Sequence, residues 1–330
     1  MSEGELDVVG IGNALVDVLS HEAEPFVEEH GLVRGSMTLI ESDRAEELYT
    51  AMGPGTEMSG GSAANTVAGV ASLGGRAAYI GRVYHDQLGA VFAHDLQASG
   101  VVFRSLPATD GPPTGRCLIV ITPDGERTMS TYLGASSLLG PGNLDPELIA
   151  AAKVTYLEGY LWDRPEAKEA YRLATRLAHD AGRIAALTLS DSFCVQRHRT
   201  EWRRLIHDSV DIVFANEDEI TMLYESASFE QAVEEVKAHC HIACLTRGAE
   251  GSVIVTPQEQ YTIAAQPVDK VIDTTGAGDL YAAGFLYGYT HNLDLPDCGR
   301  LASSAAAAVL GHTGARPELS LEQLSLRRGV

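Results

Sequence analysis

Residues 273–279 read DTTGAGD and run into LYAAGFLYGYT, a string that contains the parts of an anion site and of a base. Gly276, Ala277 and Gly278 let the backbone turn tightly, and a helix is expected from about Ala277 onward. Consecutive amides at a helix N-terminus form a nest for an oxyanion or a phosphate. Asp279 then falls in the first turn, where its carboxylate can accept the proton of an attacking hydroxyl while the nest holds a phosphoryl group. A glycine turn followed by a capping acid would read the same in isolation. The other clusters must decide.

Residues 59–75, SGGSAANTVAGVASLGG, place Gly60 and Gly61 before a helix of small residues. Asn65 is polar on that small, apolar helix and needs a partner, either the backbone or a ligand hydroxyl. VVGIGNALVD (8–17) offers Gly10-x-Gly12, but Leu15 stands where a dinucleotide fingerprint has its third glycine. The next acid, Asp17, is also too near to hold a cofactor ribose. A nicotinamide dehydrogenase is therefore disfavoured, and Asn13 and Asp17 suit polar contacts to sugar hydroxyls instead. In FANEDEITML (214–223), Asn216 and Glu219 share a helix face by i, i+3 spacing. That face could hold a hydrated Mg²⁺, or simply complement the helix dipole. LTRGAEGS (245–252) brings Thr246, Arg247 and Gly248 to a strand end as a candidate nucleotide phosphate loop. His239, Cys240, His241 and Cys244 have the composition of metal ligands, but no second pair stands at zinc spacing. No G-x-S-x-G elbow supports a serine hydrolase.

These residues need a scaffold that gathers strand ends. Short apolar runs at 6–11, 77–81, 154–159, 184–189, 211–216 and 242–246 read as buried strands, with helix-length stretches such as 86–100, 165–182, 194–209 and 229–239 between them. That alternation predicts an α/β fold, a central mostly parallel sheet with helices on both faces, whose ligands bind at the carboxyl ends of the strands. Residues 101–133 break the pattern with β-rich runs split by DGPPTG and PDGE turns. A small β-sheet lid is expected from 14–42 and 101–133, carried on a body made of 1–13, 43–100 and 134–330.

Across 330 residues there are 45 Asp+Glu against 24 Lys+Arg, a formal charge of −21, and no basic run. Nucleic acid and anionic membrane surfaces are poor partners for such a chain. A small anionic ligand held by backbone amides is not. Five thinly spread cysteines fit a reducing compartment, and the acidic start lacks a signal-peptide pattern. A cytoplasmic protein is expected, monomer or homodimer.

GGSAANT, NEDE and DTTGAGD, in this order along nearly the whole chain, resemble the motifs of the ribokinase-like (PfkB) carbohydrate and nucleoside kinases. The resemblance implies a three-layer fold with a β-sheet lid and ATP-dependent transfer to a primary hydroxyl. By position it makes Asp279 the catalytic base and Gly276, Ala277 and Gly278 the anion hole. Asp17, Gly60, Gly61 and Asn65 fall on the acceptor sugar. Asn216 and Glu219 match the Mg²⁺/phosphate motif, with Glu219 reaching the ion through water, and 246–248 fall where the nucleotide loop runs. Whether a monovalent cation such as K⁺ sits beside the anion hole stays open. GNALVD and ERTMSTYLGAS look most like adenosine kinases, which implies that Arg127 on the lid approaches the phosphates and that Phe193 contacts the base of a nucleoside. Adenosine is the expected acceptor. Ribose, fructose or a 2-keto sugar acid is the alternative.

Overall fold

A computed structural model describes residues 5–316 and 320–322. Its strands run in chain order as β1 (Leu6–Ile11), β2 (Leu15–His21), β3 (Met37–Leu39), β4 (Thr56–Gly60), β5 (Ala77–Ile80), β6 (Val102–Phe103) and β7 (Thr114–Ile121). Then come β8 (Arg127–Gly134), β9 (Ala152–Glu158), β10 (Ile184–Thr188), β11 (Ile212–Asn216), β12 (Ile242–Thr246), β13 (Ser252–Val255) and β14 (Gln260–Ile263). The helices are α1 (Glu24–Glu29), α2 (Ser42–Ala51), α3 (Ser62–Ser72), α4 (Gln87–Ala98), α5 (Pro146–Ala151) and α6 (Pro165–Asp180). They continue as α7 (Ser192–Ser209), α8 (Glu217–Tyr224), α9 (Phe229–Lys237), α10 (Ala277–Thr290) and α11 (Leu295–Val309).

Nine strands form the large sheet in the order β14-β13-β12-β11-β10-β9-β1-β5-β6. All its pairings are parallel except the two that involve β13, to β12 and to β14. Alternate side chains enter opposite cores. Val8 of β1 joins the core beneath α3, α10 and α11. Val9 and Ile11 join the one built with α6, α7 and α9. Burial on both faces is why these strands read as continuous apolar runs. The helices begin where the sequence supplies stops and caps: Asp86 Oδ1 accepts from Gly89 N at 2.8 Å before α4, Asp191 Oδ1 from Cys194 N at 2.6 Å before α7, and Pro165 opens α6.

A second sheet, β3-β8-β7-β2-β4, stands beside the strand ends of the first. Its composition differs from the expected segments in two places. Residues 56–60 belong to it, because Thr56–Gly60 pairs antiparallel with β2. Val102 and Phe103 instead pair parallel with β5 and extend the large sheet. Residues 1–4, 317–319 and 323–330 of the expected body lie outside the described residues. Among the described residues no helix is long and apolar enough to cross a membrane.

Candidate active site

The large sheet leaves a cavity of about 850 Å³ at the carboxyl ends of β9 to β12, lined on its other side by residues of the second sheet. Asp279 sits at its floor. Gly276 caps α10 in the left-handed region at φ 78°, and a Cβ on it would come 2.6 Å from the Ala315 backbone, so only glycine fits the turn. Both Gly276 and Gly278 line the cavity, and a Cβ on Gly278 would meet nothing within 4 Å. The first turn of α10 therefore presents open space to an anion, and first-turn amides have no intrahelical acceptor. Ala277 begins the helix.

Two donors from α3 hold the Asp279 carboxylate. Ser62 Oγ donates to its Oδ1 at 2.6 Å and Asn65 Nδ2 to its Oδ2 at 3.0 Å. Burial pushes this carboxyl above the ordinary range, and the two hydrogen bonds pull the other way. Asn65 thus meets the candidate base directly. Its Oδ1 accepts from Arg316 Nε at 3.2 Å.

On the acceptor side, Asp17 lines the cavity from β2, and burial raises its carboxyl to about 6. Gly60 lies against it, and any Cβ there would overlap the carboxylate. Gly61 follows at φ 99°, which lets α3 start beside Asn13. Asn13 also lines the cavity, but its amide is engaged: Nδ2 donates to Glu158 Oε1 at 2.7 Å, and Oδ1 accepts from Ser136 Oγ at 2.9 Å. Glu158, buried at the end of β9, also accepts from Ala63 N at 2.9 Å, and burial lifts it to about 7. Phe193 lines the cavity and is 70% exposed, and Leu39, Ile119 and Met129 of the second sheet line it too. Tyr160 lines the same space, whereas Trp162 is core, stacked on Trp202 at 4.6 Å.

On the phosphate side, Asn216 and Glu219 form a capping box. Asn216 Oδ1 accepts from Glu219 N at 2.8 Å, and Glu219 Oε2 accepts from Asn216 N at 2.9 Å. Both line the cavity, and burial raises Glu219 to about 7. Thr246 reaches the cavity from β12. Arg247 and Gly248 are not among its lining residues. The Arg247 guanidinium turns to Glu217 at 3.1 Å and Glu250 at 3.0 Å and covers the Phe229 ring at 4.4 Å. Arg127 of β8 pairs with Asp273 at 2.6 Å, with both side chains buried.

Four residues given no role from sequence join the site: Ser62, Glu158, Asp273 and Arg316. Glu158 had a signal, since an acid closes the apolar run of 154–159. Ser62 and Asp273 lie inside the quoted motifs. Arg316 had none; it meets Asn65 across 251 positions.

A glycine turn that opens a helix beside a cavity at the strand ends, with an acid in the helix's first turn, is the arrangement expected of a carbohydrate or nucleoside kinase. The chain belongs to the pfkB family of carbohydrate kinases, whose description its residues 35–322 match. It is similar to a solved adenosine kinase from Sinorhizobium meliloti, at 51% identity and TM-score 0.92 over 99% of this chain and 100% of that one. It is equally similar in shape to a probable sugar kinase from Rhizobium etli, at 49% identity and TM-score 0.92 over 99% of both chains. Among curated proteins, a 5-dehydro-2-deoxygluconokinase from Geobacillus kaustophilus is 24% identical over 317 residues, 92% of this chain and 88% of that protein. The chain is accordingly an ATP-using phosphotransferase with an alcohol group as acceptor.

Proposed function

We propose that this kinase transfers the γ-phosphoryl group of ATP to the 5′-hydroxyl of a nucleoside, adenosine first. One observation carries the reading: Asp17, Asn65 and Asp279 share one cavity with the apolar side chains of Phe193 and of the second-sheet residues Leu39, Ile119 and Met129. A free sugar has no flat apolar part to set against those side chains, and a nucleobase does. The likeness to a solved adenosine kinase at 51% identity supports it.

In this reading Asp17 holds ribose hydroxyls and turns the 5′-hydroxyl toward Asp279. The Asp279 carboxylate, held by Ser62 and Asn65, accepts the hydroxyl proton as the 5′-oxygen bonds the γ-phosphorus and the bond from that phosphorus to the bridging oxygen breaks, releasing ADP. Amides at the start of α10 and the helix dipole stabilise the phosphoryl oxygens. The second sheet acts as a lid that excludes water, and Arg127, paired with Asp273, would have to leave that pair to reach the phosphates. Glu219 is a buried carboxylate that lines the cavity beside Asn216, and it would hold a hydrated Mg²⁺ through water. Bound there, Mg²⁺ would neutralise phosphate charge.

The test is ADP release from ATP–Mg²⁺ with adenosine, guanosine, inosine, cytidine, ribose, fructose and 2-keto-3-deoxygluconate. Turnover confined to nucleosides, adenosine best, is expected. Turnover with free sugars alone would overturn the base slot while leaving Asp279 and the nest in place.

A further inference from the structure

Arg316 lies in the chain segment after α11 and reaches back between α3 and α4. Its Nε donates to Asn65 Oδ1 at 3.2 Å, and its Nη1 pairs with Asp95 Oδ2 at 3.3 Å. Asp95 in turn accepts from Ser59 N at 2.8 Å, at the end of β4 just before the Gly60–Gly61 turn. Only 16% of the Arg316 side chain is exposed, and its buried Nη2 has no partner among the described residues.

The chemistry of this chain of contacts is directional. A side-chain amide is nearly symmetric in shape, so either end of Asn65 could face Asp279. Arginine has donors only and cannot lose its charge. Facing Arg316, Asn65 must present Oδ1, which commits Nδ2 to Asp279 Oδ2. An ionised Asp279 would favour the same orientation by itself. A protonated one would not, because it could donate to a flipped amide. Arg316 therefore keeps a donor on Asp279 in both protonation states, a setting that favours the ionised, proton-accepting form.

We infer that Arg316 is a positioning residue for phosphoryl transfer: its forked donors fix the Asn65 amide, and Asn65 fixes Asp279. The inference rests on Asp279 being the base of the proposed reaction. Other groups also act on Asp279 and set the background for any pH measurement. Ser62 donates to it from α3. Asp17 from β2, Tyr156 and Glu158 from β9, and Tyr160 beyond β9 interact with it electrostatically.

The experiment compares the wild-type chain with Arg316→Met, Arg316→Lys, Asn65→Ala and the Arg316→Met/Asn65→Ala double variant, using the best acceptor of the panel. Arg316→Met is expected to lower kcat roughly tenfold to a hundredfold, the effect of losing one charge-assisted hydrogen bond in a chain. Its ATP affinity by calorimetry should stay within about twofold, and the acid limb of kcat should move to higher pH. Arg316→Lys should not restore kcat, because one ammonium cannot make both contacts of the fork. The double variant should be no worse than the poorer single one, since both remove the same hold on Asp279. Multiplying effects, an unmoved acid limb, or ATP binding lost along with kcat would each overturn the inference. So would a lysine variant with wild-type kcat, which would assign the role to charge alone. If Arg316→Met fails to fold, Arg316→Lys carries the test by its kcat and acid limb. A wild-type chain that turns over no acceptor overturns the proposed function and this inference with it. An active wild type with additive variants overturns this inference only.

Discussion

At the scale of single residues the site is defined by clearances and by which atoms face which. Asp279 must be ionised to take a proton, so burial, which raises its pKa, moves the acid limb of kcat/KM above the ordinary carboxylate range. A pH profile that stays flat down to about pH 4, where ordinary carboxylates titrate, would remove Asp279 from the role of base. Asp279→Asn is expected to lose ~10²–10⁴-fold in kcat, with ATP and acceptor affinities largely kept, as single-turnover and calorimetric measurements would read. Gly60 tests the other end. A methyl group there would overlap the Asp17 carboxylate. Gly60→Ala should therefore raise the acceptor KM about tenfold or more while the ATP Kd stays put. An unchanged acceptor KM would mean that Asp17 does not hold the acceptor.

At the scale of elements, Asp273 joins three of them. Its Oδ2 meets Arg127 of β8 at 2.6 Å and Gly314 N at 2.8 Å, and its Oδ1 accepts from Thr275 N at 2.9 Å in the loop before α10. The second sheet is thereby tied to the loop before α10. Arg127→Leu should loosen that tie and let water compete for the phosphoryl group, so acceptor-independent phosphate release should rise relative to acceptor phosphorylation. An unaltered ratio would make the pair a structural contact only. The same elements explain what the sequence could disclose. Strands β1, β5 and β9–β12 are legible because burial on both faces writes them as apolar runs. β4, TEMSG, is polar and ends in glycine, and it is a strand only because Leu15–Leu19 supplies its pairing. Motifs likewise disclosed the residues near Gly276 and Asn65. Arg247 is expected in the nucleotide loop, but three neighbours, Glu217, Glu250 and Phe229, turn its side chain away from the cavity. Arg316 reaches the site only through the tertiary fold, where no local spacing could announce it.

At the scale of the whole molecule, the cleft concentrates carboxyl groups that burial makes reluctant to ionise: Asp17 raised to about 6, Glu158 to about 7 and Glu219 to about 7. In the unfolded chain such groups titrate near 4. Between about pH 4.5 and 7 the folded state therefore binds more protons than the unfolded one, and stability falls as pH rises through that window. Carboxyls held below their usual range, among them Asp7, Asp163 and Asp273, act in the opposite sense, but their contribution is lost only as pH falls below about 4. The formal charge of −21 adds a general repulsion that also grows with pH. Salt separates the two, since about 0.5 M electrolyte screens the exposed charges far more than the buried ones. The unliganded protein should melt at a higher temperature near pH 5.5 than near pH 7.5, and the gap should narrow but persist in high salt. A gap abolished by salt would assign it to surface repulsion, and a higher Tm at pH 7.5 would contradict the burial of these three carboxyls. If the gap persists, the molecule is least stable where its cleft carries the charge that the proposed reaction needs. Stability given up at a working site in this way is the ordinary cost of holding catalytic groups in a state the fold alone would not choose.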